Sequence, residues 1–181
     1  MNAIDFKNDL IIDYEGWQDG DTVLIKELSF VSLRYSIGKT FMFRPDTALN
    51  NFSEKFQRHV KFCSRNLSRI PYEYGETSYE VLYELKYLFP LMCQRLVSKG
   101  ARKCDFLEFF FKMPVLDLAS VQAPSYKELS KVNTSSESDF CSFHKPQKIY
   151  HCSQYKCRLL SNFVTDLSKQ SPSKDEIDAK M

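Results

Sequence analysis

At Pro45 the hydrophobic residues of this chain change period. Before it, three apolar stretches read as strands: 10–16 (LIIDYEG), ended by a glycine, 23–33 (VLIKELSFVSL) and 40–45 (TFMFRP). The turn sequence QDGD joins the first two, so the three in series predict an antiparallel meander. After Pro45 the spacing becomes helical. Residues 53–68 place Phe56, Val60 and Cys63 at helical intervals behind Ser53 as N-cap, and 78–89 do the same with Val81, Leu82, Leu85 and Leu88. RLVSKG (95–100) then predicts a short buried strand and CDFLEFFFK (104–112) a helix. PVLDLA (114–119) predicts a strand, SYKELSKV (125–132) a short helix, 133–140 a polar loop and 150–167 a last helix. The segment 168–181 is charged, lacks aromatic residues and is predicted to be disordered.

This order predicts an α/β fold over residues 1–167: a mixed sheet with three antiparallel N-terminal strands, flanked by helices, of the RNase H-like (DEDDh exonuclease-like) kind. The 181 residues fit one domain, and 43% hydrophobic residues supply a core. A formal net charge of +2 permits nucleic-acid binding without demanding it. The N-terminus has no basic start followed by an apolar run, and no stretch approaches the roughly 20 apolar residues that span a bilayer. The reading is of an intracellular protein, nuclear or cytoplasmic and without membrane partners, whose six cysteines are reduced. Clustered cysteines in that setting point to metal before disulfide.

Two groups of residues carry chemistry. The first is Asp13 and Glu15. Residues two apart on a strand share a face, so these carboxylates point together while Leu10, Ile12 and Tyr14 point the other way. Such a pair either faces water at a strand end or holds divalent metal for in-line phosphodiester cleavage. D-x-E on a first strand resembles the opening motif of DEDD-type 3′–5′ exonucleases. Read against that family, Asp105 matches the acid of the middle motif, though His-Asn before it is missing. His151 takes the general-base position of the last motif, H-x4-D. Lys156 stands where its aspartate belongs, and an ammonium cannot ligate Mg²⁺. An active exonuclease would hold Mg²⁺ on Asp13, Glu15 and Asp105, with Asp117 as a conceivable substitute acid.

The second group is Cys141, His144 and Cys152, a C-x2-H-x7-C pattern. C-x2-H brings two ligands round one turn, as zinc sites do, and Cys152 falls in the first turn of the last helix. Cys157 is about 140° from Cys152 around that helix, at 100° per residue, so the fourth ligand comes from elsewhere. Glu27 is a candidate. The alternation of its strand places it with Ile25, Val31 and Leu33, and a carboxylate on an apolar face needs a partner, whether metal, Lys or Arg. Taken singly, each cysteine could equally be an ordinary core residue.

Glu27, Cys141, His144 and Cys152 together resemble the Glu-Cys-His-Cys signature of the Maelstrom domain. The likeness is densest at I-K-E-L-S-F-V (25–31), C-S-F-H (141–144) and H-C-S-Q-Y-K-C (151–157). The resemblance implies an RNase H-like fold that lost its nuclease acids and gained structural zinc on those four residues. It further implies a pseudo-nuclease that binds single-stranded RNA or protein components of small-RNA (piRNA-type) transposon silencing or RNA processing, with metal-independent RNA cleavage among the family's activities. Asp13 and Glu15 depart from that pattern as retained acids.

Basic residues form two further clusters: Lys55, Arg58, Lys61 and Arg65, interleaved with Phe56 and Phe62, and Lys99, Arg102 and Lys103. Each is either a solvated helix face or a phosphate-contacting surface. Exposed phenylalanines in 104–112 would make a protein-docking patch.

Overall fold

The computed structural model describes residues 5–20, 22–133, 135–146 and 150–170. Its strands are β1 (Asp9–Asp19), β2 (Thr22–Ser32), β3 (Ile37–Met42), β4 (Arg95–Ser98) and β5 (Val115–Asp117). Its α-helices are α1 (Glu54–Asn66), α2 (Tyr79–Met92), α3 (Ala101–Phe111), α4 (Tyr126–Val132) and α5 (Ser153–Gln170). The chain is α/β, with one mixed sheet of order β3-β2-β1-β4-β5. β1 pairs antiparallel with β2 and β2 with β3, whereas β4 runs parallel to both β1 and β5.

Alternation along the strands sorts the side chains into two layers. Leu10 and Ile12 of β1 and Leu28 and Phe30 of β2 pack against Leu82, Leu85 and Phe89 of α2 and Leu107 and Phe111 of α3. On the other face Ile11 and Val97 pack against Leu129 of α4 and Tyr155, Leu159, Leu160 and Val164 of α5. α1 closes a third cluster, laying Phe56, Val60 and Cys63 on Trp17 and Tyr72. Ser53 caps it, accepting the Phe56 amide at 3.2 Å.

Three expectations need correction. Gly16 does not end β1; it sits inside the strand at a bulge. Glu15 pairs with Glu27 but Gly16 pairs with Ile25, so Lys26 is one residue too many on β2. A Cβ on Gly16 would lie 2.2 Å from the Leu24 carbonyl oxygen. The same bulge reverses the alternation, so Ile25 does not share a face with Glu27. It packs with Leu28 and Phe30, while Glu27 keeps company with Val31 on the α5 side. Finally, Ser168–Gln170 continue α5 rather than beginning a tail; residues 171–181 lie outside those described.

Lys26, the extra residue, is 1% exposed. Its ammonium donates to the carbonyls of Phe43 at 2.8 Å, Tyr72 at 2.7 Å and Tyr74, and lies over the Trp17 ring. Burial pushes its pKa down to about 7. The bulge therefore anchors the 72–74 segment to the sheet. Gly16→Ala is expected to destabilise the fold by about 3 kcal/mol in urea unfolding, because the Leu24 carbonyl cannot retreat without breaking its ladder. Gly20→Asn is the control. Gly20 has φ +57°, which Asn tolerates, and open space around it, so little change is expected.

Candidate metal centre

Glu27, Cys141, His144 and Cys152 arrive from three places. Glu27 hangs from the middle of β2, just past the bulge. Cys141 and His144 share a turn, in which the Cys141 carbonyl accepts the amides of His144 (3.1 Å) and Lys145 (2.9 Å). Cys152 stands one residue before α5 rather than within its first turn, and its carbonyl accepts the Lys156 amide at 3.1 Å. All four side chains are buried, and their ligand atoms lie within 4.8 Å of one another.

The distances have the size of a small coordination sphere. Cys141 Sγ is 3.2 Å from His144 Nδ1, Cys152 Sγ is 3.4 Å from Glu27 Oε1, and His144 Nδ1 is 3.7 Å from Glu27 Oε2. Ligands tetrahedrally placed at about 2.0–2.3 Å from an ion are about 3.3–3.8 Å apart. The groups around the four are oriented to match. His144 Nε2 lies 2.7 Å from the Ser68 carbonyl, which can only accept, so Nε2 carries the proton and Nδ1 turns its lone pair to the cluster. The Cys141 amide points at Cys152 Sγ at 3.4 Å. The Ser153 amide, at the start of α5, donates to Glu27 Oε2 at 3.1 Å, where a helix favours negative charge. A buried Glu-Cys-His-Cys group of this size can hold a metal ion.

Protons occupy the donors when metal does not. Burial pushes the Cys152 thiol far up. Burial pulls His144 down, but hydrogen bonds with Cys152 and Glu27 outweigh it and carry the imidazole up to about 10. A cation entering the site must displace protons, so metal affinity falls as pH falls. Cys157, also buried, is not part of the group; its thiol donates to the Ser29 carbonyl at 3.2 Å.

Glu15 lies beside Glu27 across the β1–β2 ladder, and its surroundings are of another kind. Lys156, one turn after Cys152, forms an ion pair with Glu15. Lys103, from α3, donates to Asp13 Oδ1 at 2.8 Å and to the Tyr14 carbonyl at 2.6 Å, and lies 3.6 Å from Glu15. Two ammonium groups thus answer the two carboxylates. Burial pushes the Asp13 carboxyl up against the pull of Lys103; for Glu15 burial also opposes ionisation, but Lys103 and Lys156 prevail and its pKa is lowered. His151 is half-exposed with Nδ1 4.0 Å from Glu15. Asp105 is exposed on the outer side of α3. Asp117 accepts the Gly100 and Ala119 amides, which fixes the start of α3 and the turn after β5. Among the described residues, Asp13, Glu15 and Asp105 do not form a metal-sized group. The role of Lys103 was not legible in the sequence, where it counted only as part of a basic cluster; the sole signal was a lysine in the first turn of the helix after β4.

Of the basic residues, Lys55, Arg58, Lys61 and Arg65 are exposed on α1 beside Phe62, which is 56% exposed. Arg102 is exposed, whereas Lys99 donates to the Ala123 carbonyl at 2.9 Å. Tyr83, Tyr87, Leu88 and Leu91 of α2 and Phe109 of α3 are exposed apolar groups. No described helix is long and apolar enough to cross a membrane. No protein-family model matches the chain, and no curated protein is similar enough to be matched.

Proposed function

We propose that this chain is a zinc-tied pseudo-nuclease domain of Maelstrom type, with an RNase H-like fold, that binds single-stranded RNA in a small-RNA (piRNA-type) silencing or RNA-processing pathway. The observation that carries the proposal lies on neighbouring strand positions. Glu27 meets Cys141 and His144 of the 141–144 turn and Cys152 at the start of α5, whereas Glu15 meets a lysine of α5. Two sulfurs, one imidazole and one carboxylate make a donor set suited to zinc, and a closed set of four protein ligands suits a structural site. Bound there, zinc would cross-link β2, the 141–144 turn and the start of α5. The strand order and directions support the RNase H-like reading.

An Mg²⁺-dependent exonuclease on Asp13, Glu15, Asp105 and His151 is the weaker reading, because Lys103 and Lys156 place positive charge on the carboxylates that Mg²⁺ would need. The test is incubation of a labelled single-stranded RNA with the protein, with and without Mg²⁺. Salt-dependent binding without Mg²⁺-dependent shortening is expected. Shortening that requires Mg²⁺ and disappears in Asp13→Ala would replace the proposal with the exonuclease. One observation favours a second role as a protein adaptor: the exposed stripe of Tyr83, Tyr87 and Leu91 along α2, four residues apart.

A further inference from the structure

Between α4 and the start of α5 lies a cleft of about 560 Å³ beside the Glu15–Lys156 pair. Its apolar lining is largely aromatic: Tyr126, Tyr150 and Tyr155. Tyr155 stacks on Phe140 with ring centroids 4.4 Å apart, and Tyr126 is held by a hydroxyl bond to Asp13 (3.4 Å) and by the Lys156 ammonium over its ring. Tyr150 meets Tyr155 edge-on and is 59% exposed. Two of the walls are therefore fixed, and the third is open to a partner.

Charge at the mouth is one-sided. Lys127 and Lys131, one helical turn apart on α4, both line the cleft and are exposed, with His151 opposite. Glu128, the acid between them, turns back to Ser125, whose amide and hydroxyl it accepts at 2.8 and 2.6 Å. Asp13 and Glu15, behind Tyr126 and Lys156, are each answered by a lysine. A ligand fitting these walls has a flat π-surface and an attached anion.

We infer that this cleft takes one unstacked nucleotide of a single-stranded RNA, its base against the open ring of Tyr150 and its phosphate against Lys127 and Lys131. The inference rests on the RNA-binding reading above and gives it a location. Base–aromatic stacking is worth about 1–3 kcal/mol per base, so loss of one open ring costs roughly tenfold in affinity.

The test is fluorescence anisotropy of a short labelled oligouridylate titrated with the protein at several salt concentrations. Tyr150→Ala is expected to weaken binding about tenfold and Tyr150→Phe to leave it within about twofold, since the ring does the stacking. Lys127→Glu with Lys131→Glu is expected to weaken it at least as much and to reduce the log–log salt slope by roughly 0.7, as for one lost phosphate contact on a single strand. All three positions are exposed, and unchanged melting temperatures confirm that the variants fold. Full affinity in these variants, with loss only in Lys55→Glu and Arg58→Glu on α1, would overturn the cleft while leaving RNA binding intact. No binding by the unaltered protein would overturn both.

Discussion

Cys141→Ser is expected to strip the metal from the protein and lower its melting temperature by roughly 10 °C. Glu27 is 0% exposed in the middle of β2. A buried carboxylate without a partner costs several kcal/mol, and the metal-free cluster offers it a thiol, one amide and the His144 imidazole, whose positions a metal would tie together. Removing one ligand sulfur opens the coordination shell and leaves the other three donors buried together. Loss of a structural metal belongs with the largest single-residue effects, about 4 kcal/mol or more. For a domain of this length each kcal/mol moves the midpoint by about 2–4 °C. Cys157→Ser is the control. Cys157 is equally buried and only five residues from Cys152, but it bonds the Ser29 carbonyl, so the variant is expected to keep its metal. Metal analysis and calorimetry on the two variants together separate ligation from packing.

Lys103→Met is expected to destabilise the protein by about 3 kcal/mol in urea unfolding. Asp13 is completely buried, and the Lys103 ammonium is its one close cation, at 2.8 Å. Removing one partner of such a pair leaves an uncompensated buried charge, which costs about 3–5 kcal/mol; partial exposure of Lys103 puts this case at the lower end. Adding Asp13→Asn removes the stranded charge and is expected to recover part of the loss. If the double variant is as unstable as the sum of the singles, Lys103 acts through packing of its stem and not through its charge.

Much of this architecture was legible in hydrophobic period. The two-residue alternation of 10–16 and 23–33 and the helical spacing of Phe56, Val60 and Cys63 each gave the element that forms there. The C-x2-H turn was legible because it is local, and Glu27 because a carboxylate stood out in an apolar run. What the period could not show was the bulge. One extra residue, Lys26, leaves the composition of β2 unchanged yet sends Ile25 to the opposite face from Glu27 and puts Gly16 inside the strand. Nor could it show the lysine pairs, since Lys103 meets Asp13 across 90 residues of chain. D-x-E reads the same whether a divalent cation or two ammonium groups sit against it.

The site's identity turns on the metal itself. The decisive measurement is plasma mass spectrometry of untagged protein purified without chelator. We expect about one zinc per chain, the content of a closed four-ligand site. Protein that is folded and stable yet carries no zinc would contradict the account, leaving Glu27, Cys141, His144 and Cys152 as a hydrogen-bonded polar cluster in the core.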